Sequence, residues 1–245
     1  MTKTTAAGAG GVLGVLGGMG PLASAEFMKT IYEYSGAVSA REQQAPAVVL
    51  YSDPAFPDRT DSFLNGGEEA VRRKLIESLE RLCDSGATRI VICCMTIHHL
   101  LPGLPAALRE RVVSLPDVIL ARLEEGGRRH LMVCSNGTRK LEIFERHERW
   151  ARAKEFVVFP EEAHQRRLHE LIYEVKQNRG LRAAGTFVES LLALHGLDAF
   201  VAGCSEIHLL AKHMAGAGAR RAEYSCLDPL AIIARQLAEQ SIYEA

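Results

Sequence analysis

Charge of one sign is missing from this chain: in 245 residues, 29 lysines and arginines stand against 30 aspartates and glutamates, a formal net charge of −1. Such a balance excludes the standing basic field that draws nucleic acid or anionic lipid, so no nucleic acid is expected as a partner and a small molecule is. Long apolar runs are missing too. No stretch approaches the roughly 18 uninterrupted apolar residues of a membrane span, so no membrane association is expected. Disulfide spacing is the third absence: Cys83, Cys93, Cys94, Cys134, Cys204 and Cys226 contain no C-x-x-C pair and no regular framework. They read as reduced thiols of a cytoplasmic protein. Lys3, a weakly apolar stretch and Ala23, Ser24 and Ala25 imitate a secretory leader, but seven glycines between Gly8 and Gly20 interrupt any helical centre for one.

What is present is a globular composition, 47% hydrophobic and 24% charged, with length for one large or two small cores. Residues 12–16 read as a buried strand, followed by the turn Gly17, Gly18, Met19, Gly20 and a helix with Pro21 in its first turn. Residues 47–51 give a second strand and residues 68–84 an amphipathic helix, and a third strand runs into Cys94. The cycle restarts at residues 131–134, with Asn136 and Gly137 as its turn and Thr138 as a helix N-cap. A strand over 155–159, two helices and a strand running into Cys204 complete it. Strands alternating with helices at this spacing predict an α/β fold of mostly parallel sheets covered by helices on both faces. Two similar lobes follow, residues 1–115 joined by about 223–245 and residues 116–222, with the final helix returning to the first.

One motif occurs twice. Cys94-Met95-Thr96-Ile97-His98 closes one apolar run and Cys204-Ser205-Glu206-Ile207-His208 closes another, each at a strand's C-terminal end, where open α/β sheets place their ligands. Two thiols on two lobes suit inversion of a carbon that bears hydrogen. One group removes the proton from one face and the other delivers a proton to the opposite face. A free thiol, with a pKa of about 8.5, is lowered toward neutrality at a helix N-terminus, and both cysteines precede a predicted helix. Thr96, Ser205 and Thr138 add hydroxyls suited to a carboxylate or an amino group. Packing as a small hydrophobe is the reading for Cys83, Cys93, Cys134 and Cys226. His98 and His208, one helical turn beyond their cysteines, either tune the thiol or cap a neighbouring element, and His99 is assigned to the surface. A zinc ion shared by these boxes would occupy both thiolates, so no metal site is expected. Gly18-Met19-Gly20-Pro21-Leu22-Ala23 satisfies a relaxed G-x-G-x-x-A pattern. A ribose-binding acid belongs about 20 residues further on, and Asp53 lies well beyond that, so no dinucleotide cofactor is expected.

These residues resemble the aspartate/glutamate racemase superfamily, nearly end to end, and its aspartate racemase branch most. Residues 17–21 resemble that branch's Gly-Gly-Met-Gly-Pro signature, and Pro57-Asp58-Arg59-Thr60 its Pro-Asp-Arg-Thr loop. Cys94-Met95-Thr96-Ile97-His98 resembles its Cys-Asn-Thr-Ala-His box, Gly203-Cys204-Ser205-Glu206 its Gly-Cys-Thr-Glu box, and Asn136-Gly137-Thr138 its Asp-Gly-Thr turn. The resemblance implies two flavodoxin-like lobes related by a pseudo-twofold axis, a site in the cleft between them, a homodimer and no cofactor. It makes Cys94 and Cys204 the two proton carriers of an amino-acid racemase that works without pyridoxal phosphate. Met19, Gly20, Arg59, Thr96, Thr138, Lys176, Ser205 and Glu206 become the residues around a small acidic substrate. Within that set Arg59 and Lys176 are implied to hold the distal carboxylate, a role suited to a guanidinium fork and an ammonium. Met95 departs from the pattern, since an amide there is implied to bind the amino acid and methionine offers no donor. Two alternatives therefore stand beside an aspartate-like substrate: isomerisation or decarboxylation of a dicarboxylate without the amino group, and a homologue whose activity Met95 has reduced or abolished.

Overall fold

β1 (Val12–Gly17) is an apolar run buried from its second residue onward, and a strand buried on both faces belongs inside a parallel sheet. It is the middle strand of the first sheet, whose order is β2–β1–β3, with β2 (Val48–Ser52) and β3 (Ala87–Ile92) both parallel to it. The computed structural model describes residues 11–216 and 224–239; Lys3, Gly8 and the outer limits of the expected lobes lie outside them. α1 (Pro21–Val38) connects β1 to β2 and starts on Pro21, whose fixed φ and missing N–H cost nothing in a first turn. α2 (Arg59–Leu64) and α3 (Glu68–Asp84) lead to β3. α3 buries Val71, Leu75, Ser78, Leu79 and Leu82, a stripe at helical spacing, against the sheet. A 3₁₀ segment, Thr96–Gly103, follows β3, then α4 (Ala106–Arg109) and α5 (Leu115–Gly126).

The second sheet, order β5–β4–β6–β7, is parallel throughout. β4 (His130–Cys134) leads to α6 (Asn136–Lys140), α7 (Trp150–Ala153) and β5 (Val157–Val158). α8 (Glu162–Lys176) and α9 (Leu181–His195) precede β6 (Ala199–Gly203), and α10 (Glu206–Gly216), β7 (Ser225–Leu227) and α11 (Pro229–Ala238) follow. The two lobes are thus flavodoxin-like α/β units with parallel sheets. α11 lies against α1 and α5, while β7 pairs with β6. The proposed division at residue 115 and about 223 accordingly has the terminal segment lend one strand to the second sheet.

Two local expectations are corrected. Residues 155–159 do not form a full strand: Lys154–Phe156 is a 3₁₀ turn and only Val157 and Val158 pair, with His130 and Leu131. This is an edge position, and Pro160, lacking an N–H, cannot extend the ladder. The N-cap of α6 is Ser135, whose Oγ accepts from the Thr138 N–H at 3.3 Å, so Thr138 lies inside the helix.

Candidate active site

Register determines which loops meet. In the first sheet Leu16 stands beside Tyr51 and Ile92, and Gly17 beside Ser52, so the β1–α1 turn, the loop before Arg59 and Cys94 leave the same edge. In the second sheet Cys134 stands beside Gly203, which brings Ser135 and Cys204 out together. Lys176 of the second lobe lies within electrostatic reach of four groups drawn from both lobes: Arg59 and Cys94 from the first, Cys204 and Glu206 from the second. Each cysteine is only 6% exposed.

Arg59 is the first residue of α2, and Asp58 caps that helix by accepting the Asp61 N–H at 2.9 Å. The Arg59 side chain is buried and held by two carbonyls, Nη2 donating to Met19 at 2.7 Å and Nη1 to Pro57 at 2.8 Å. Its Nε has no hydrogen-bond partner among the described residues. A buried donor left unpaired costs about 1–3 kcal/mol, which a bound anion would recover. Burial works against the Arg59 charge, but the neighbouring Cys94 and Asp58 raise its pKa further. Lys176 ends α8 with its Nζ 4.6 Å from the centre of the Tyr173 ring. Burial opposes its charge as well, but nearby negative charge, that of Glu206 first, raises its pKa.

Around Cys204 the sequence expectation fails. Its thiol pKa is raised well above the ordinary value, first by burial and then by the Glu206 carboxylate, with Lys176 pulling the other way. Cys204 donates to Glu206 Oε2 at 2.9 Å and Ser205 Oγ donates to the same oxygen at 3.3 Å. The nearby carboxylate outweighs any helix-dipole effect, which is worth at most about 2 kcal/mol. Cys94, for its part, precedes a 3₁₀ segment and no α-helix. Gly20 leaves the room that Glu206 fills: a Cβ at that position would stand 1.9 Å from Glu206 Oε1.

Three hydroxyls from the two lobes form a buried triangle, with Thr96 Oγ1 at 2.9 Å from Thr138 Oγ1 and 3.2 Å from Ser135 Oγ, and those two 3.3 Å apart. Hydroxyls rotate, so the triangle can turn its protons toward a carboxylate. Gly137 lets α6 approach α2 closely, since a Cβ there would meet Thr60 Oγ1 at 2.5 Å.

Ser135, Asp58 and Tyr173 are site neighbours to which the sequence reading gave no role of their own, Asp58 standing there only as part of the loop that carries Arg59. Tyr173 donates to Asp58 Oδ2 at 2.7 Å, joining α8 to the loop that carries Arg59. Burial pushes the Tyr173 pKa up to about 12, helped by Asp58. Burial would also raise Asp58, but the Tyr173 and Asp61 hydrogen bonds and the charges of Lys176 and Arg59 hold it below the usual range. Only contact across the lobes reveals this pair.

The two histidines of the repeat are not equivalent. His98 bonds back to the Cys94 carbonyl and receives the Leu115 N–H, capping α5. His208 instead contacts Asp228 Oδ2 at 2.5 Å and Thr30 Oγ1 at 2.9 Å. Met95, the departure from the family box, is 1% exposed and belongs to the buried apolar cluster that also holds Cys93, Leu120 and Leu230. A groove of about 710 Å³ lined by Arg167, Arg182 and Phe187 contains none of the site residues.

Matches to known proteins agree with this architecture. A family model described as Asp/Glu/Hydantoin racemase matches residues 16–237. An aspartate racemase of Picrophilus torridus is similar with a TM-score of 0.76 at 20% identity, over 96% of this chain and 100% of its own. An aspartate racemase homologue from Pyrococcus horikoshii OT3 gives 0.65 at 21% identity, over 94% and 98%. A glutamate racemase from Campylobacter jejuni gives 0.61 at 15%, over 94% and 85%. At such identities the likeness is one of fold.

Proposed function

The chain belongs to the Asp/Glu/Hydantoin racemase family, and from that premise we propose that it is a cofactor-independent racemase of an acidic, aspartate-like amino acid, acting by two-base proton transfer between Cys94 and Cys204. The observation that carries the reading is the pairing of two nearly buried thiols, one from each lobe, with two cations beside them, Arg59 and Lys176. In this scheme one sulfur removes the α-proton and the other delivers a proton to the opposite face of the planar intermediate, so configuration inverts and no redox change occurs. Arg59 and Lys176 hold the distal carboxylate, which gives the acidic specificity, and the hydroxyls of Thr96, Ser135 and Thr138 take the α-carboxylate. Burial of the site strengthens each of these interactions by excluding water.

Free thiols in this role require a reducing compartment, so we place the enzyme in the cytoplasm. A homodimer is the proposed assembly, on the family resemblance. The deciding test is incubation with L-aspartate in deuterated water without added cofactor. Deuterium should enter at the α-carbon while optical rotation decays toward zero. No α-deuterium with either aspartate or glutamate would refute the amino-acid racemase reading.

A further inference from the structure

We propose that the chain carries a second ligand site, a cavity between the two lobes that takes a small organic acid, one oxyanion on an apolar body of ring size, and whose occupancy holds the lobes in the arrangement that nearly buries both thiols. The inference goes beyond the proposed function and rests on it only for the activity measurement.

The cavity measures about 380 Å³ and is lined by none of the residues assigned to the thiol site. Close-packed interiors leave few voids larger than a water molecule, whose share of the liquid is about 30 Å³, so a space of this size is no packing defect. It falls within the range of small-molecule pockets, which favour boundaries between folded units. Its apolar walls come from both lobes: Leu101 and Val112 from the chain between β3 and α5, Leu141 and Ile143 from the chain between α6 and α7. These four side chains are buried or half-buried and set the character of the ligand's body.

The rim sets the character of its charge. Arg109 and Arg146, both exposed, line the cavity from opposite lobes, and no carboxylate lines it. Arg109 donates to the Pro102 carbonyl at 3.4 Å and has no acidic partner among the described residues. Arg146 pairs with Glu142 at 3.4 Å, but both side chains are more than half exposed, and exchanging so weak a pair for a ligand's anion costs little. His99 and His147 also line the cavity, whereas the carboxylates beside them, Glu68 and Asp117, do not. A guanidinium binds carboxylate and phosphate alike, so the shared chemistry is an oxyanion.

Hydrogen bonds tie each wall to the thiol site. On the first lobe His98 lines the cavity, and its ring meets the Cys94 carbonyl at 2.9 Å and accepts the Leu115 N–H at 3.2 Å. On the second, the Ile143 N–H donates to the Thr138 carbonyl at 3.3 Å, and the Thr138 hydroxyl reaches Thr96 across the cleft at 2.9 Å. A ligand that fits both walls binds the present spacing of the lobes better than a wider one and shifts the population toward it. Each thiol is then only 6% exposed, so substrate must wait for the lobes to part at the site. Occupancy of the cavity therefore slows exchange of substrate and product and lowers turnover.

The test reads binding first. Wild-type protein with carbon-13 methyl labels on leucine, valine and isoleucine is titrated with phenyl phosphate and, separately, with indole-3-acetate, which distinguish the phosphate and carboxylate sources. The methyls of Leu101, Val112, Leu141 and Ile143 should shift and saturate together with at least one of the two. Arg109→Ala and Arg146→Ala should each weaken that binding about tenfold, the loss of one charge-assisted contact. Arg182→Ala, on the outer groove, should leave it unchanged. Inorganic phosphate, which lacks the ring, and benzyl alcohol, which lacks the anion, should bind far more weakly. Saturable shifts confined to other methyls, equal binding by inorganic phosphate, or unchanged binding in both rim variants would overturn the site. With aspartate saturating, the bound probe should still lower turnover severalfold; full recovery there would overturn the coupling. An occupied cavity without racemisation under any condition would defeat the proposed function alone, and racemisation with none of the four methyls shifting would defeat only the second site.

Discussion

At His98 the hydrogen bonds specify the tautomer: Nε2 accepts the Leu115 N–H at 3.2 Å, which leaves Nδ1 carrying the proton toward the Cys94 carbonyl at 2.9 Å. A second proton would have to displace the Leu115 bond at a ring that is only 5% exposed. Burial accordingly lowers the His98 pKa to about 4. Its ordinary value is 6.5, so between those limits the unfolded chain binds more protons and stability must fall as pH falls. The contribution is fully present above the unfolded pKa and amounts to about 2 kcal/mol between pH 7 and pH 5. Urea unfolding at those two pH values should show that loss in the wild type and a flatter dependence in His98→Gln. Identical slopes in the two proteins would remove His98 as the source. Gly20 and Met95 carry a related lesson about space. Gly20 has φ −162°, an extended conformation open to any residue, so its requirement is room for Glu206. Met95 occupies apolar core, where a side chain without polar atoms needs no hydrogen-bond partner.

Among the elements, α11 shows how a helix start and a buried histidine depend on one carboxylate. Asp228 Oδ1 accepts the Leu230 and Ala231 N–H groups at 3.0 and 3.4 Å, and Oδ2 meets His208 Nδ1. His208 also reaches Thr30 on α1, so Asp228 joins three helices. Asp228→Asn keeps an acceptor for the cap, whereas Asp228→Ala removes both functions. Asn is expected to cost about 1 kcal/mol and Ala about 3 kcal/mol or more, measured by thermal unfolding, since losing a cap and orphaning a buried partner add. Equal losses would mean that the cap contributes nothing. The strands and long helices were legible because their apolar period is local: α3 spans Glu68–Asp84, as its stripe predicts. The short elements were not. β5 pairs at only two residues on an edge, and the α6 cap passes to Ser135, one of several adjacent polar residues able to serve. The cysteine boxes were visible as a repeat, yet their differing surroundings were not. Glu206 against Gly20, Tyr173 against Asp58 and His208 against Thr30 are contacts between distant segments, and no spacing in the chain encodes them.

For the molecule as a whole, the joint between the lobes is of two kinds. At the back, Leu13, Val15 and Val91 of the first sheet share one buried cluster with Met132, Cys134 and Val201 of the second, through Phe27 of α1, Ile119 of α5 and Ile233 of α11. Each such side chain contributes about 1.5–3 kcal/mol by burial. At the site edge the lobes meet through hydrogen bonds, Thr96 to Thr138 and Tyr173 to Asp58, worth nearer 1 kcal/mol each when both partners are neutral and about 1.5–3 when one is charged. The strong joint is thus shared core and the weak joint borders the thiols. Opening the edge costs far less than separating the lobes. Lys212 adds ion pairs to Glu26 at 2.6 Å and Glu33 at 2.5 Å, but these are partly exposed and weak. Neither lobe can then unfold while the other keeps its core. Trp150, the single tryptophan of the chain, makes this testable. It lies on α7 of the second lobe, 6.2 Å from the Phe159 ring, against the shared cluster. Its fluorescence follows that region, whereas far-ultraviolet circular dichroism follows both lobes. In urea the two signals should change together, with one midpoint and one slope. A dichroism transition that precedes the tryptophan change would show the first lobe melting alone, and the continuous core would then not be what holds the lobes together.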